Sequence, residues 1–114
     1  MRDLLERLAK VLPAEWAVIL GGRLRFRTPE NVYLCISPDP SEDVENGGAC
    51  FALLDWIEGK GYIWSLDNIG FDDGKEGRYR LLFAQGDWSE QGPTVSGSTR
   101  TEAVLRACVW VGER

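Results

Sequence analysis

The sequence predicts an α+β domain in which three helices pack on antiparallel β-sheet, in the order αβββ–αβββ–α. Three observations lead to this prediction. Apolar residues recur at helical spacing in three stretches, apolar and polar residues alternate in the stretches between them, and glycine-containing turns separate the alternating stretches. A chain of 114 residues is the size of one domain, so we expect a single domain over residues 1–114.

The first half of the chain begins with a helix. Leucines and valines at helical spacing predict a helix over 3–12, with Asp3 favouring its positive end and Pro13 ending it. Two strands in this half, 16–20 and 32–36, are apolar on both sides. For the second of them this pattern predicts a central strand, covered on both faces.

A hairpin is predicted between these two strands. Gly21-Gly22 suits a two-residue turn with positive φ, and the return strand is 23–27. Strict alternation in the return strand places Leu24 and Phe26 inward and its three arginines outward.

The second half repeats the order of helix and strands after a loop over 37–48. A helix is predicted over 49–58, with an inward stripe of Cys50, Leu53, Leu54 and Ile57. The strands that follow are predicted at 62–66, 78–85 and 94–98. The order therefore suggests two αβββ half-repeats, 1–46 and 47–98, although any amphipathic helix followed by alternating strands would show the same pattern.

The final helix has the clearest start signal in the chain. Residues Thr99 to Glu102 fit a capping box, in which the hydroxyl and the carboxylate each satisfy an amide of the first turn. The predicted inward stripe is Ala103, Val104, Ala107, Cys108 and Val111. Three further apolar residues, Leu105, Val109 and Trp110, fall outside this stripe and need a neighbour. We therefore expect a homodimer formed through this helix.

Composition argues against catalysis. The chain has no histidine, which removes the commonest general base and metal ligand. No motif has the spacing of a nucleotide-binding loop or a metal site, and the nearest carboxylate pair, Asp55 and Glu58, is expected on the wet face of a helix. We therefore predict a protein that is not an enzyme and has no cofactor and no metal.

Cysteine usage and hydropathy indicate a cytoplasmic protein. Cys35, Cys50 and Cys108 lie in apolar contexts without a Cys-x-x-Cys pair, so we expect buried free thiols in a reducing compartment. No secretory signal and no uncharged apolar stretch long enough to span a membrane is visible, so no membrane association is expected.

Negative charge is concentrated in the middle of the chain. The net charge of the protein is −5, while residues 37–77 alone carry −8. If the two acidic loops lie on one side, they form an anionic surface that can steer a basic partner, although the same charge also keeps a small protein soluble. The predicted partner-binding residues are Asp39, Glu42, Asp43, Glu45, Asp72, Asp73 and Glu76, with Trp56 and Trp110 as aromatic anchors. We expect alanine replacements in the loop 39–45 to leave the melting temperature nearly unchanged.

An alternative site is formed by arginines on strands. Arginines at alternate positions of one strand lie about 7 Å apart, close to the spacing of phosphates on a single strand. Alternating arginines also protect the edge of a sheet, and the negative net charge opposes binding to nucleic acid. The residues of this alternative are Arg23, Arg25, Arg27, Arg78 and Arg80.

Two segments resemble a known family. Leu-Leu-Asp-Trp-Ile-Glu-Gly-Lys-Gly-Tyr at 53–62 and Thr-Arg-Thr-Glu-Ala-Val-Leu-Arg-Ala-Cys at 99–108 resemble the phage ABA sandwich domain family, over residues 52–111. The order of elements is also similar to the double-stranded-RNA-binding domain, and the ending is similar to HicB-type antitoxins. The RNA-binding family starts its last helix with a lysine cluster, whereas here Thr99 to Glu102 contains one base and one acid, which argues against RNA binding.

The phage resemblance implies an accessory protein of a bacteriophage or mobile element. Such small acidic proteins often bind a host machine, as the anti-CRISPR inhibitors do. Our leading prediction is therefore a non-enzymatic protein-binding domain that binds a host protein or complex and inhibits a host nucleic-acid-handling complex. The alternatives are a nucleic-acid-binding domain that uses the arginine-lined strands, and an antitoxin-like protein.

Overall fold

The protein is represented by a computed structural model, which describes residues 1–13, 17–68, 79–86 and 92–114. The α+β class and the predicted order of elements are confirmed. The helices are α1 (Arg2–Val11), α2 (Gly47–Gly59) and α3 (Arg100–Gly112), with a short 3₁₀ turn at Pro40–Glu42. The strands are β1 (Ala17–Leu20), β2 (Arg23–Arg27), β3 (Tyr33–Ile36), β4 (Tyr62–Asn68), β5 (Tyr79–Gln85) and β6 (Thr94–Gly97).

The strands form two antiparallel sheets, each a meander. Sheet A has the order β1-β2-β3 and sheet B the order β4-β5-β6, so β2 and β5 are the middle strands. The prediction that residues 32–36 form a central strand is therefore wrong, because among the described strands β3 pairs only with β2. The apolar residues on its outward side, Tyr33 and Cys35, are exposed.

The hairpin between β1 and β2 forms as predicted. Gly21 and Gly22 have φ values of +61° and +75°, which a residue with a side chain rarely adopts. The turn pairs Leu20 with Arg23. This register places Leu24 and Phe26 of β2 in the core and turns its arginines to the other side of sheet A.

The helices connect the two sheets through one hydrophobic core. Helix α1 packs on β1 and β2, α2 packs on β3 and β4, and α3 packs on β5 and β6 as well as on both other helices. A single cluster of buried apolar residues includes members of all three helices and both sheets. None of the helices in the described ranges is long and apolar enough to cross a membrane.

Helix α3 is buried on more sides than its sequence pattern predicts. The predicted inward stripes of α2 and α3 are both buried. Leu105 and Val109 are buried too, with 0% and 3% of their surfaces exposed, because α1, α2 and sheet B surround the helix. Two of the three residues that led us to expect a homodimer through α3 are thus covered within one chain, whereas Trp110 is partly exposed. The homodimer stays a prediction.

The capping box at the start of α3 forms with one difference. The Thr99 hydroxyl accepts a hydrogen bond from the Glu102 amide at 3.1 Å, as predicted. The Glu102 carboxylate, however, accepts hydrogen bonds from the amide and the hydroxyl of Ser98, at 3.2 and 2.8 Å. The side chains thus satisfy amides on both sides of the cap residue.

Candidate protein-binding surfaces

The acidic loop before α2 uses most of its carboxylates within the chain. Asp39 accepts a hydrogen bond from the Ser41 amide at 2.9 Å and so caps the 3₁₀ turn. That hydrogen bond holds the pKa of Asp39 below its usual value. Glu42 pairs with Arg23 of β2 at 3.4 Å. Within the described part of the chain, Glu45 is the one carboxylate of this loop without a hydrogen bond or ion pair.

Asp43 has a structural role at the start of α3. Its carboxylate accepts hydrogen bonds from the Thr101 amide and hydroxyl at 2.8 and 2.6 Å, and from the Arg100 amide and guanidinium at 3.3 and 3.2 Å. Burial by itself would raise the pKa of Asp43, but these hydrogen bonds from Thr101 and Arg100 outweigh it and lower the pKa. Asp43 is therefore an anchor between the loop and the helix.

Asn46 completes this anchor. Its buried side chain exchanges hydrogen bonds with the backbone of Ser37, both at 3.0 Å, and donates to the Thr101 hydroxyl at 3.2 Å. The Cys50 thiol lies 3.7 Å from the same hydroxyl. We call Asp43, Asn46 and Thr101 the polar clasp, because they join the loop before α2 to the first turn of α3.

That the two acidic loops share a face stays a prediction. Asp72, Asp73 and Glu76 lie outside the described residues, as does Arg78 of the alternative site. Among the described members of the predicted acidic surface, Asp39 and Asp43 hold backbone structure and Glu42 faces a guanidinium. A protein-binding site built mainly from these carboxylates would have to break contacts that stabilise the fold.

The two predicted aromatic anchors are in different surroundings. Trp110 packs edge-on against Phe83 and Tyr62, with ring centroids 5.1 and 6.2 Å apart, and the Arg114 guanidinium covers it at 3.6 Å. Trp56 is half-buried on α2, with the Lys60 ammonium 5.2 Å from its ring centroid. Trp56 lines a groove between α2 and the turn that follows β2.

The arginines of β2 share one side of sheet A, as predicted. Arg23 pairs with Glu42, Arg27 lies 3.5 Å from the Asn31 side-chain oxygen, and Arg25 has no hydrogen bond or ion pair within the described ranges. Arg80 is on sheet B, where it pairs with Asp67 directly across from it on β4, at 3.3 Å. The structure therefore does not extend the arginine row of β2 with Arg80.

Apolar side chains flank these arginines, which the sequence analysis did not predict. In register, Arg25 lies between Val18 of β1 and Cys35 of β3, Leu20 lies opposite Arg23, and Tyr33 lies opposite Arg27. We call this set the outer face of sheet A; it consists of Val18, Leu20, Arg23, Arg25, Arg27, Tyr33 and Cys35. The exposed fractions of Val18, Leu20 and Tyr33 are 50%, 51% and 74%.

The signal for this surface was present in the sequence but had two interpretations. A strand that is apolar on both sides looks the same whether its second side packs against its own chain or stays on the surface. The prediction that all three cysteines are buried is wrong for this reason: Cys50 and Cys108 are buried, but Cys35 is exposed on the edge strand β3.

The buried thiols and the carboxylate pair Asp55 and Glu58 lie in different surroundings. Burial raises the pKa of Cys50 to about 11, and it raises the pKa of Cys108 as well, so both stay protonated near neutral pH. Glu58 accepts a hydrogen bond from the Trp64 indole at 2.9 Å, and Asp55 is exposed on α2. Where the chain is described, no three His, Cys, Asp or Glu residues are grouped to hold a metal ion.

A groove of about 370 Å³ lies beside Trp56, on the inner side of sheet A. One wall is α2, and the other is the turn between β2 and β3. Its polar members include Glu30 from the turn and Asp55 and Lys60 from the helix side. Neither Glu30 nor Asp55 has a hydrogen bond or an ion pair among the described residues.

No protein-family model, curated protein or solved structure matches the chain.

Proposed function

We propose that the chain is a non-enzymatic protein-binding domain and that the outer face of sheet A binds a partner whose surface is apolar and acidic. The observation that carries this proposal is the exposure of Val18, Leu20 and Tyr33 beside the arginines of β2. Exposed apolar side chains that share one sheet face with tyrosine and arginine are typical of interaction sites.

The composition of this face favours a protein partner. Tyrosine and arginine are the side chains that anchor protein interfaces, and aliphatic neighbours exclude water around them. Removing apolar surface from water contributes about 25 cal/mol per Å², which Val18 and Leu20 can supply when a partner covers them. The guanidinium of Arg25, which has no partner where the chain is described, then selects carboxylates on the other protein.

The charge of the face also differs from that of the rest of the molecule. The face carries three arginines, of which Arg23 pairs with Glu42, in a protein whose net charge is −5. The rest of the surface is acidic and repels an acidic partner. The partner therefore approaches with its carboxylates facing the arginines of this face. Inhibition of a host nucleic-acid-handling complex by a phage-encoded protein, which the family resemblance implies, is one function that such a domain can serve; it stays a prediction.

The test removes the exposed apolar side chains of the outer face of sheet A and keeps its strands folded. Threonine at Val18, Leu20 and Tyr33 together preserves β propensity and removes most of the apolar contact area. We expect the partner captured by the wild-type chain from nuclease-treated lysate to bind this variant at least about 30-fold more weakly, as expected when interface anchors are lost. The affinities are measured with the purified partner by calorimetry.

The matched control is Val44→Thr, because Val44 is 79% exposed and lies outside the outer face. It should bind the partner as the wild type does. The nucleic-acid alternative is measured in parallel with random-sequence DNA and RNA. Tight binding that falls steeply with salt, disappears in Arg25→Gln and survives the threonine replacements would contradict the proposal.

A further inference from the structure

The groove beside Trp56 has two walls that are both fixed by local structure. On α2, Ala52, Asp55, Trp56 and Gly59 lie at positions i, i+3, i+4 and i+7, so they share one face of the helix. Phe26 and Leu53 belong to the buried core and form its apolar base. The groove is thus part of the folded framework and does not depend on the outer face of sheet A.

The opposite wall is a turn closed by three hydrogen bonds. The Thr28 amide donates to the Val32 carbonyl at 2.9 Å, the Asn31 amide to the Thr28 carbonyl at 2.9 Å, and the Val32 amide to the Thr28 hydroxyl at 3.1 Å. Asn31 has a φ of +67°, a left-handed conformation that asparagine tolerates better than most residues. The turn therefore presents Glu30 at the groove from a constrained backbone.

We propose that this groove binds an arginine side chain carried by a partner polypeptide. Charge complementarity favours a positively charged ligand. The carboxylates of Glu30 and Asp55 line the groove, and neither has a hydrogen bond or ion pair among the described residues. The indole of Trp56 and the ring of Pro29 offer apolar surface for the aliphatic stem of the arginine. A planar guanidinium can stack on the indole and donate hydrogen bonds to a carboxylate in its plane.

Lys60 supports this assignment because it already places a cation on the indole. Its ammonium is 5.2 Å from the ring centroid of Trp56, and it has no ion pair within the described residues. The intramolecular lysine is thus a competitor that an incoming guanidinium has to displace. Removing its charge should strengthen binding, which a purely apolar groove would not show.

The experiment uses the whole chain and two small probes. N-acetyl-arginine methylamide is titrated against ¹⁵N-labelled protein, and the norleucine counterpart provides the same stem without charge. We expect the arginine probe to shift the indole N–H signal of Trp56 in a saturable way and the norleucine probe to leave it unchanged. A single side chain binds weakly, so the affinity of the arginine probe is compared between the wild type and the variants.

The variants define the site. Lys60→Gln should bind the arginine probe about three-fold more tightly, which is the scale of an exposed cation–π contact. Glu30→Gln and Asp55→Asn should each weaken binding about three-fold, the scale of an exposed ion pair. The control Glu45→Gln removes a carboxylate that also has no partner in the described ranges but lies outside the groove, and it should bind as the wild type does.

Three results would overturn the proposal. Equal shifts with the norleucine probe would show an apolar site, equal weakening by Glu45→Gln would show diffuse attraction to an acidic protein, and unchanged affinity in Lys60→Gln would show that the indole takes no cation. The triple threonine variant of the outer face of sheet A should bind the arginine probe normally. The failure of either proposal is therefore distinguishable from the failure of the other.

Discussion

Leu105→Ala is expected to lower the free energy of unfolding by about 3 kcal/mol, as for other fully buried leucines. Leu105 has no exposed surface and belongs to the core cluster that joins the helices to sheet B. Alanine removes apolar contacts and leaves a cavity that a helix packed on several sides cannot close by moving. Urea unfolding followed by circular dichroism measures the loss.

The melting temperature of the wild type distinguishes burial of Leu105 within one chain from its burial in a dimer. If the chain itself covers Leu105, the melting temperature of the wild type does not change with protein concentration. Val44→Ala, at a residue that is 79% exposed, should change stability by less than about 0.5 kcal/mol. A melting temperature that rises with concentration would instead support the dimer through α3.

Asp43→Ala should lower the free energy of unfolding by about 2 kcal/mol, because the first turn of α3 loses a charged acceptor. The amide of Thr101 is then left in a partly buried site without its partner. This expectation replaces the one drawn from the sequence, where alanine in the loop 39–45 should leave stability nearly unchanged. Glu45→Ala is the control, because Glu45 makes no contact of this kind among the described residues.

The stabilisation by Asp43 should also depend on pH. The pKa of Asp43 is lower in the folded protein than in the unfolded chain, so its contribution is fully present above the unfolded pKa and is lost as the pH falls through the folded pKa. The stability difference between the wild type and Asp43→Asn should be constant near neutral pH and shrink below about pH 4. A difference that stayed constant at lower pH would contradict an ionised Asp43 as the acceptor.

The sequence predicted the elements because their signals are local. Helical spacing, alternation and a two-glycine turn each act over a few residues, and the capping box at Thr99 is a local exchange of hydrogen bonds. Those predictions agree with the structure to within a few residues at each end. Even the side to which the arginines of β2 point follows from alternation alone.

The number of neighbours around an element is not determined locally, which explains why the central strand at 32–36 and the burial of Cys35 were predicted wrongly. A helix with a wide apolar surface can be covered by a second copy or by several elements of its own chain, and the sequence of α3 fits both. A strand that is apolar on both sides can be central or can expose one side, as β3 does. The roles of Asp43 and Glu42 also depend on residues far along the chain, so the loop carries no local sign of them.

The polar clasp has a consequence for the two predicted half-repeats. Asp43 and Asn46 belong to 1–46, yet they satisfy Thr101 and Arg100, which lie between 55 and 58 positions further along the chain. A fragment that starts at residue 47 would lack the acceptors for the amides that open its last helix. Helix α3 follows both half-repeats, so the clasp makes its first turn depend on residues of the first one. We expect the amide of Thr101 to gain protection from hydrogen exchange only once both of these parts of the chain are in place.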